Sequence, residues 1–507
     1  GAMMRVHTAS GEEALAVRLE ELQGPLPSES GTVRSLKRHL QRCGGEPRFK
    51  QRLVSGGEIL PDEALLDGNC DLQLVVMAYS DGVEGAKRLL SAVDKDAAPE
   101  VEAMLQTPLD PNCAHRGLTP LYLACDLGRT RCAHLLLEAR ADPDAVEAGG
   151  SPSPLLLAAM YGSVDMVRLL LEARAQVDRS PALRASALHE AASRGNLGCA
   201  RLLLEARARL SRQAPLSGAT PFQAACQSGH SEVARLLLEA GEEEEKQSSF
   251  ISAPLCDAAQ HGHVEVVRLL LEARADMGTT HHENLATPLH VACDSGHTEV
   301  VRLLLAAQAD KDKADSSGAT PLYVASEAGR PGVVRALLQA SADTDKADDD
   351  GVTPLSVACE SGQGEVVRFL LAAGAMRNRA DKRGRTPVFM AARNGFIGIV
   401  RTLLEAGVDI DQSHNLHRAT PLHIASHAGH VVVVRLLVAG RAASNSADNM
   451  GATPLHVACD AGHVDVVRLL LAVTVDKDRG DNAGATPLHV ACEAGDPEVV
   501  RLLLGAR

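Results

Sequence analysis

The sequence predicts an α-solenoid of about twelve two-helix repeats and a degenerate first repeat, preceded by a small α+β domain. Three observations predict it. The stretch Thr287 to Leu305, TPLHVACDSGHTEVVRLLL, returns every 33 or 34 residues. A glycine stands nine residues after the start of every copy. The first 79 residues follow neither rule and carry short alternating apolar runs around one amphipathic stretch.

Each residue type in the repeat has a mechanical reason. Thr287 is predicted to cap a helix by accepting a bond from an otherwise unpaired amide, and Pro288 occupies a position where a missing N–H costs nothing. Leu289, Ala292 and Cys293 give that helix an apolar side that a neighbour can approach closely. Gly296 ends it by entering the left-handed region, and a second helix follows with Val300, Val301, Leu303, Leu304 and Leu305. The same register recurs at Thr119, Ser153, Ser186, Thr220, Ala253, Thr287, Thr320, Thr353, Thr386, Thr420, Thr453 and Thr486. Between copies lie turn signals such as Asp315 to Gly318 (DSSG), Asp348 to Gly351 (DDDG), Asp381 to Gly384 (DKRG) and Asp448 to Gly451 (DNMG), read as projecting fingers. The period, the TPLH opening, the internal Gly-His and the VVRLLL second helix resemble the ankyrin repeat family over roughly residues 84 to 507. That resemblance implies stacked helix pairs whose fingers and first helices line a concave face that binds other proteins.

Residues 4–79 are predicted to form two strands between Met4 and Leu19, a helix over Thr32 to Arg42, a hairpin at Gln51 to Leu60 (QRLVSGGEIL) and a last strand at Asp71 to Met77. This order, with Thr32-Val33 opening the helix and Gly45 and Pro47 after it, resembles ubiquitin. The resemblance implies a β-grasp domain. It departs from the pattern in two places: no Gly-Gly terminus follows Val76, which argues against use as a conjugated modifier, and the hairpin turn Ala9 to Glu12 is shortened. By position the remaining receptor-gripping patch is Val54, Gly57 and Val75. Two readings stand side by side: the patch docks on ubiquitin-receptor or proteasome components, or the domain only caps the repeats.

The chain in order reads as a tag scar at 1–3, the ubiquitin-like domain at 4–79, a linker and degenerate capping repeat at 80–112, and the repeat array at 113–507. The fingers at Asp142 to Pro152, Arg209 to Ala219 and Asp409 to Ala419 are irregular. The strongest departure is Gly241 to Ser252, where Glu242, Glu243, Glu244 and Glu245 replace the usual connection and Phe250 follows; it reads as a solvated loop or as a loop for a specific partner. The last segment, Glu498 to Arg507, is as apolar as an interior helix, which predicts that more chain or another surface covers it.

Composition narrows the function classes. Apolar residues make up 45% of the chain while aromatics make up 2%, so the core must be aliphatic. A net charge of −14 argues against nucleic acid as a partner. The best candidate for a membrane span, Val431 to Val438, is short and holds Arg435, so no membrane insertion is expected. Twelve cysteines form no CxxC pair; Cys125, Cys226, Cys293, Cys359, Cys459 and Cys492 fall six residues after a repeat start and read as core fillers, consistent with a reduced compartment, the cytoplasm or also the nucleus. No P-loop, G-x-S-x-G, H-E-x-x-H or dinucleotide fingerprint is present, so no enzyme and no cofactor are predicted.

The candidate partner-binding residues lie seven positions after each repeat start. They include Asp294, Glu327, Glu360, Arg393, His427, Asp460 and Glu493, a mostly acidic ladder interrupted by one cation and one imidazole. Ordinary solvation of an exposed face explains it; so does steering of a basic segment of another protein. Histidines in TPLH (His290, His423, His456, His489) and after the turn glycine belong to the repeat, and the dense group His414, His417, His423, His427 and His430 lacks metal-site spacing. Three readings follow: an interaction adaptor linking a client to ubiquitin or proteasome machinery, a scaffold in which the N-terminal domain only caps, or the non-catalytic front of a larger enzyme.

Overall fold

A computed structural model describes residues 3–8, 13–18, 32–43, 46–55, 58–66, 71–77, 83–107, 109–146, 151–180, 184–241, 248–280, 284–414, 417–473 and 475–506. The chain divides into two compact units, Gly1–Glu245 and Lys246–Arg507.

The first unit opens with strands β1 (Met3–Thr8), β2 (Glu13–Arg18), β3 (Gln51–Ser55), β4 (Glu58–Ile59) and β5 (Asp71–Val76) in the order β2-β1-β5-β3-β4. β1 and β5 run parallel, with Val6 opposite Leu72; the other pairs are antiparallel. Helix α1 (Val33–Arg42) starts at Thr32, whose hydroxyl accepts from the Ser35 amide at 3.2 Å. Its Val33, Leu36 and Leu40 close a core with Val6, Leu53, Leu66 and Leu72. The helix, both hairpin strands and the last strand fall where the sequence predicts them. The shortened turn at Ala9 to Glu12 lies outside the described residues.

Two helices follow, α2 (Val83–Asp94) and α3 (Ala98–Leu105), matching the amphipathic stretches of residues 80–112. They are succeeded by α4 (Pro120–Asp126), α5 (Thr130–Glu138), α6 (Pro154–Tyr161) and α7 (Val164–Glu172). α2 stacks on α4 and α3 on α5, just as α4 stacks on α6 and α5 on α7. The degenerate pair is thus packed as a repeat. Within each unit, first helices contact first helices and second helices contact second helices.

All twelve turn glycines have positive φ, from +66° at Gly329 to +86° at Gly296. A second constraint acts at several of them. A Cβ on Gly262 would lie 2.5 Å from Nδ1 of His297 in the following repeat, so the close stacking of repeats excludes a side chain as firmly as the backbone does. The fingers of the second unit are tied by aspartate: Asp348 Oδ1 accepts from the amides of Asp350 (3.0 Å) and Val352 (2.7 Å), and Asp349 N donates to Ser317 O of the preceding finger at 2.9 Å.

Two expectations need correction. Ala253 caps nothing: the helix begins five residues earlier and runs Ser248–Gln260, because alanine has no side-chain oxygen to terminate it, so the end of the expected loop Gly241 to Ser252 is helical and Phe250 stands in its first turn. Glu242, Glu243, Glu244 and Glu245 lie outside the described residues. Cys492 is exposed while its counterparts from Cys125 to Cys459 are buried. Glu498 pairs with Arg468 of the preceding repeat at 3.5 Å, whereas Glu299 and Arg302 pair within their helix at 2.6 Å.

Candidate functional site

The acidic ladder is built by the first helices of the second unit. Glu327, Glu360, Arg393, His427 and Asp460 are the last residues of their helices, and Asp294 and Glu493 precede the last. A carboxylate there faces the negative end of the helix dipole, which disfavours it by about 0.3 to 1 kcal/mol. The repeated acids therefore do not serve helix stability. Asp294, Glu327, His427, Asp460 and Glu493 are exposed, while Glu360 and Arg393 are half-buried.

The ladder is not uniform. Burial, followed by the charges of Asp294, Glu360 and Asp348, pushes the Glu327 carboxyl above its ordinary range. The Tyr323 hydroxyl is likewise pushed up, by burial and by its hydrogen bond to Asp348. Asp294, Glu360 and Asp348 thus act together on Glu327 as like charges. Arg393 Nη2 lies 2.6 Å from Glu360 Oε1, so the one cation of the ladder is already engaged by a carboxylate. The structure thus brings Asp294, Glu327, Glu360 and Arg393 into one electrostatic group. His427 contributes its backbone instead: its carbonyl accepts from His463 Nε2 at 2.9 Å.

The histidines have structural employment. Nδ1 of His290 accepts from the Thr287 amide at 3.1 Å and Nε2 reaches Ala319 O of the next finger at 3.1 Å; His423 and His456 repeat this arrangement with Ala452 and Ala485. An acceptor role at Nδ1 requires the proton on Nε2. His414 is buried and stacks on Phe389 (5.6 Å) and His417 (5.8 Å). Among the described residues, no group of three or more His, Cys, Asp or Glu is disposed to hold a metal. No described helix is long and apolar enough to cross a membrane.

In the first unit, Val54 and Val75 are half-buried and Gly57 lies outside the described residues. Val54 pairs with Gln73 and Val75 with Arg52 in the β3–β5 ladder, which places all four on the sheet face opposite to that bearing Leu53 and Leu72. α1 covers the latter face.

Sequence reasoning missed the residues that fasten this sheet to the repeats. Arg48, fully buried, sends Nη2 to Glu138 of α5 at 2.8 Å and to Glu102 of α3 at 3.1 Å, and Nη1 to Asp62 at 3.5 Å. Arg38 Nε meets Glu138 at 3.0 Å, and Gln41 Nε2 donates to the Glu138 carbonyl at 2.9 Å. Burial opposes ionisation of Glu138, but Arg48 and Arg38 outweigh it and hold the carboxyl below its ordinary range. No periodic signal marks these contacts, because Arg48, Glu102 and Glu138 lie far apart along the chain.

Comparison with known families adds the following. The family model described as "Ankyrin repeats (3 copies)" matches residues 155–248, 188–281, 255–348, 340–414 and 411–481. "Ankyrin repeats (many copies)" matches 121–171, and "Ankyrin repeat" matches 483–507. No curated protein sequence matches the chain.

Proposed function

The chain belongs to the ankyrin repeat family, and from that premise we propose that it is a non-enzymatic interaction adaptor whose concave face receives a basic segment of a partner protein. The observation that carries the proposal is the negative group Asp294, Glu327, Glu360 and Asp348, in which Glu327 is held partly against its own charge. A lysine or arginine entering there would relieve repulsion among the carboxylates, so binding and neutralisation reinforce each other. Asp460 and Glu493 extend the acidic surface, and Arg393 and His427 set the register. The test is titration of a lysine- and arginine-rich peptide into the chain and into a Glu327→Lys, Glu360→Lys variant. A loss of affinity of tenfold or more in the variant is expected; equal affinity would discard the reading.

The N-terminal body is assigned the ubiquitin-like β-grasp fold. The sheet order with a parallel central pair and one covering helix supports this. Its face bearing Val54 and Val75, together with Gly57, is proposed to engage ubiquitin-receptor or proteasome components. A second reading, that the body only caps the repeats, is favoured by the buried Arg48 junction. Affinity capture and mass spectrometry on the chain and on a folded Val54→Asp, Val75→Asp variant separates the two. Loss of such components from the variant supports the adaptor, and identical lists without them support the cap.

A further inference from the structure

The junction of the first unit contains a cavity of about 390 Å³. Arg34 and Arg38 of α1 line one wall; Glu102 of α3 and Thr130, Arg131 and His134 of α5 line the others. The charges in and around it can be counted. The fastening network holds four cations (Arg34, Lys37, Arg38, Arg48) and four carboxylates (Asp62, Glu63, Glu102, Glu138), joined at distances of 2.6 to 3.9 Å. Arg131 is additional to it, and among the described residues no carboxylate comes within 4.0 Å of its guanidinium. His134 Nδ1 lies 3.9 Å from Glu138.

The chain supplies its own control for this position. Twelve residues after the repeat start, seven of the other eleven copies carry an acid (Asp165, Glu232, Glu265, Glu299, Glu365, Asp465, Glu498), three carry glycine and one carries valine. Fifteen residues after the start, all eleven carry arginine. The second helices thus present an acid and an arginine three apart, as in the Glu265–Arg268 and Asp465–Arg468 pairs at 3.4 and 3.7 Å. In α5 the pattern is reversed: Arg131 takes the acid's place and His134 the arginine's. Repeat architecture accounts for neither exchange. Both occur in α5, which lends four residues to the cavity lining, whereas α7, which lends only Leu169, keeps Asp165 and Arg168.

We propose that this cavity binds a phosphate monoester. Arg131, Arg34 and Arg38 converge on it from two walls, and guanidinium groups favour phosphate through paired N–H donors. The Thr130 hydroxyl, which is directed at Gly128 O at 3.5 Å, also lines the cavity. The volume exceeds that of a single phosphate and leaves room for the side chain or small molecule that carries it. Because α1 and α5 form opposite walls, an occupant ties the N-terminal body more firmly to the first repeats, and its affinity appears as added stability of the first unit.

The experiment uses the full chain and two probes: inorganic phosphate, and a short Gly- and Ala-flanked phosphoserine peptide with its unphosphorylated twin. Calorimetry is expected to show the phosphopeptide binding at least tenfold more tightly than its twin, with a rise in Tm. Arg131→Glu, which restores the residue type of the other repeats, is expected to abolish the preference. Arg131→Gln, which removes charge without reversing it, is expected to weaken binding and serves if the first variant fails to fold. Inorganic phosphate binding as tightly as the phosphopeptide, and lost in the same variants, would assign the site to free phosphates. Absence of binding by both probes, or unchanged binding in the Arg131 variants, overturns the proposal.

Discussion

The interior repeats of the second unit and the N-terminal junction of the first are both tightly packed, yet they are held by opposite means. In the repeats, the recurring fastenings are local and renewed every 33 or 34 residues: a threonine cap, a histidine bridging two fingers, a glycine that admits the next imidazole. At the junction, one buried guanidinium gathers three carboxylates drawn from three separate segments. Periodic order tolerates single losses because neighbours repeat the contact. A unique buried charge does not.

The largest effect is therefore expected at Arg48. Arg48→Leu leaves Asp62, Glu102 and Glu138 without their shared cation, and removing one partner of a buried ion pair costs about 3 to 5 kcal/mol. Urea unfolding followed by a probe in the sheet should show a new early transition, with the second unit unchanged. A single unshifted transition would refute the view that Arg48 is the fastening residue. Next comes Gly262→Ala, whose positive φ and 2.5 Å approach to His297 predict a loss of about 1 to 3 kcal/mol, confined to the second unit.

Acid should separate the two regions further. Burial lowers the pKa of His290 and His423 from an ordinary 6.5, so the unfolded chain binds the proton first. The repeats keep their full stability above pH 6.5 and lose it as pH falls below. Glu138, held below its ordinary 4.5, sustains the junction above pH 4.5 and releases it only under more acid conditions. Hydrogen exchange at pH 7, 5.5 and 4 should show the repeats loosening before the junction; the reverse order would invert the comparison.

The smallest stability effect is expected at Glu327→Lys. It is exposed and repelled by Asp294 and Glu360, so the change in Tm should be slight or favourable, within about 0.5 kcal/mol, while affinity for a basic peptide falls.

Legibility followed the same division. Thr287, Pro288, His290 and Gly296 announced cap, first turn, bridge and C-terminus, because each acts on backbone within a few residues or one period away. The acidic ladder was readable as a register, since Glu327 and Glu360 occupy equivalent positions, but its internal grading was not: Arg393 pairs with Glu360, while Glu327 lies between carboxylates. Ala253 shows the converse. The periodic register marked a repeat start there, while the missing side-chain oxygen let the helix extend back to Ser248.

By itself the sequence determined the period, the two helices of each repeat, the left-handed glycines and the order of strands around α1. These are properties of short stretches, set by backbone sterics, capping and alternation. Tertiary structure alone decided where the N-terminal body rests and which charges it buries there. Arg48 and Glu138 are separated by 90 residues and share no pattern, and a long-range ion pair leaves no periodic trace. Only folding brings α1 against α5, and with it both the fastening network and the basic cavity beside it.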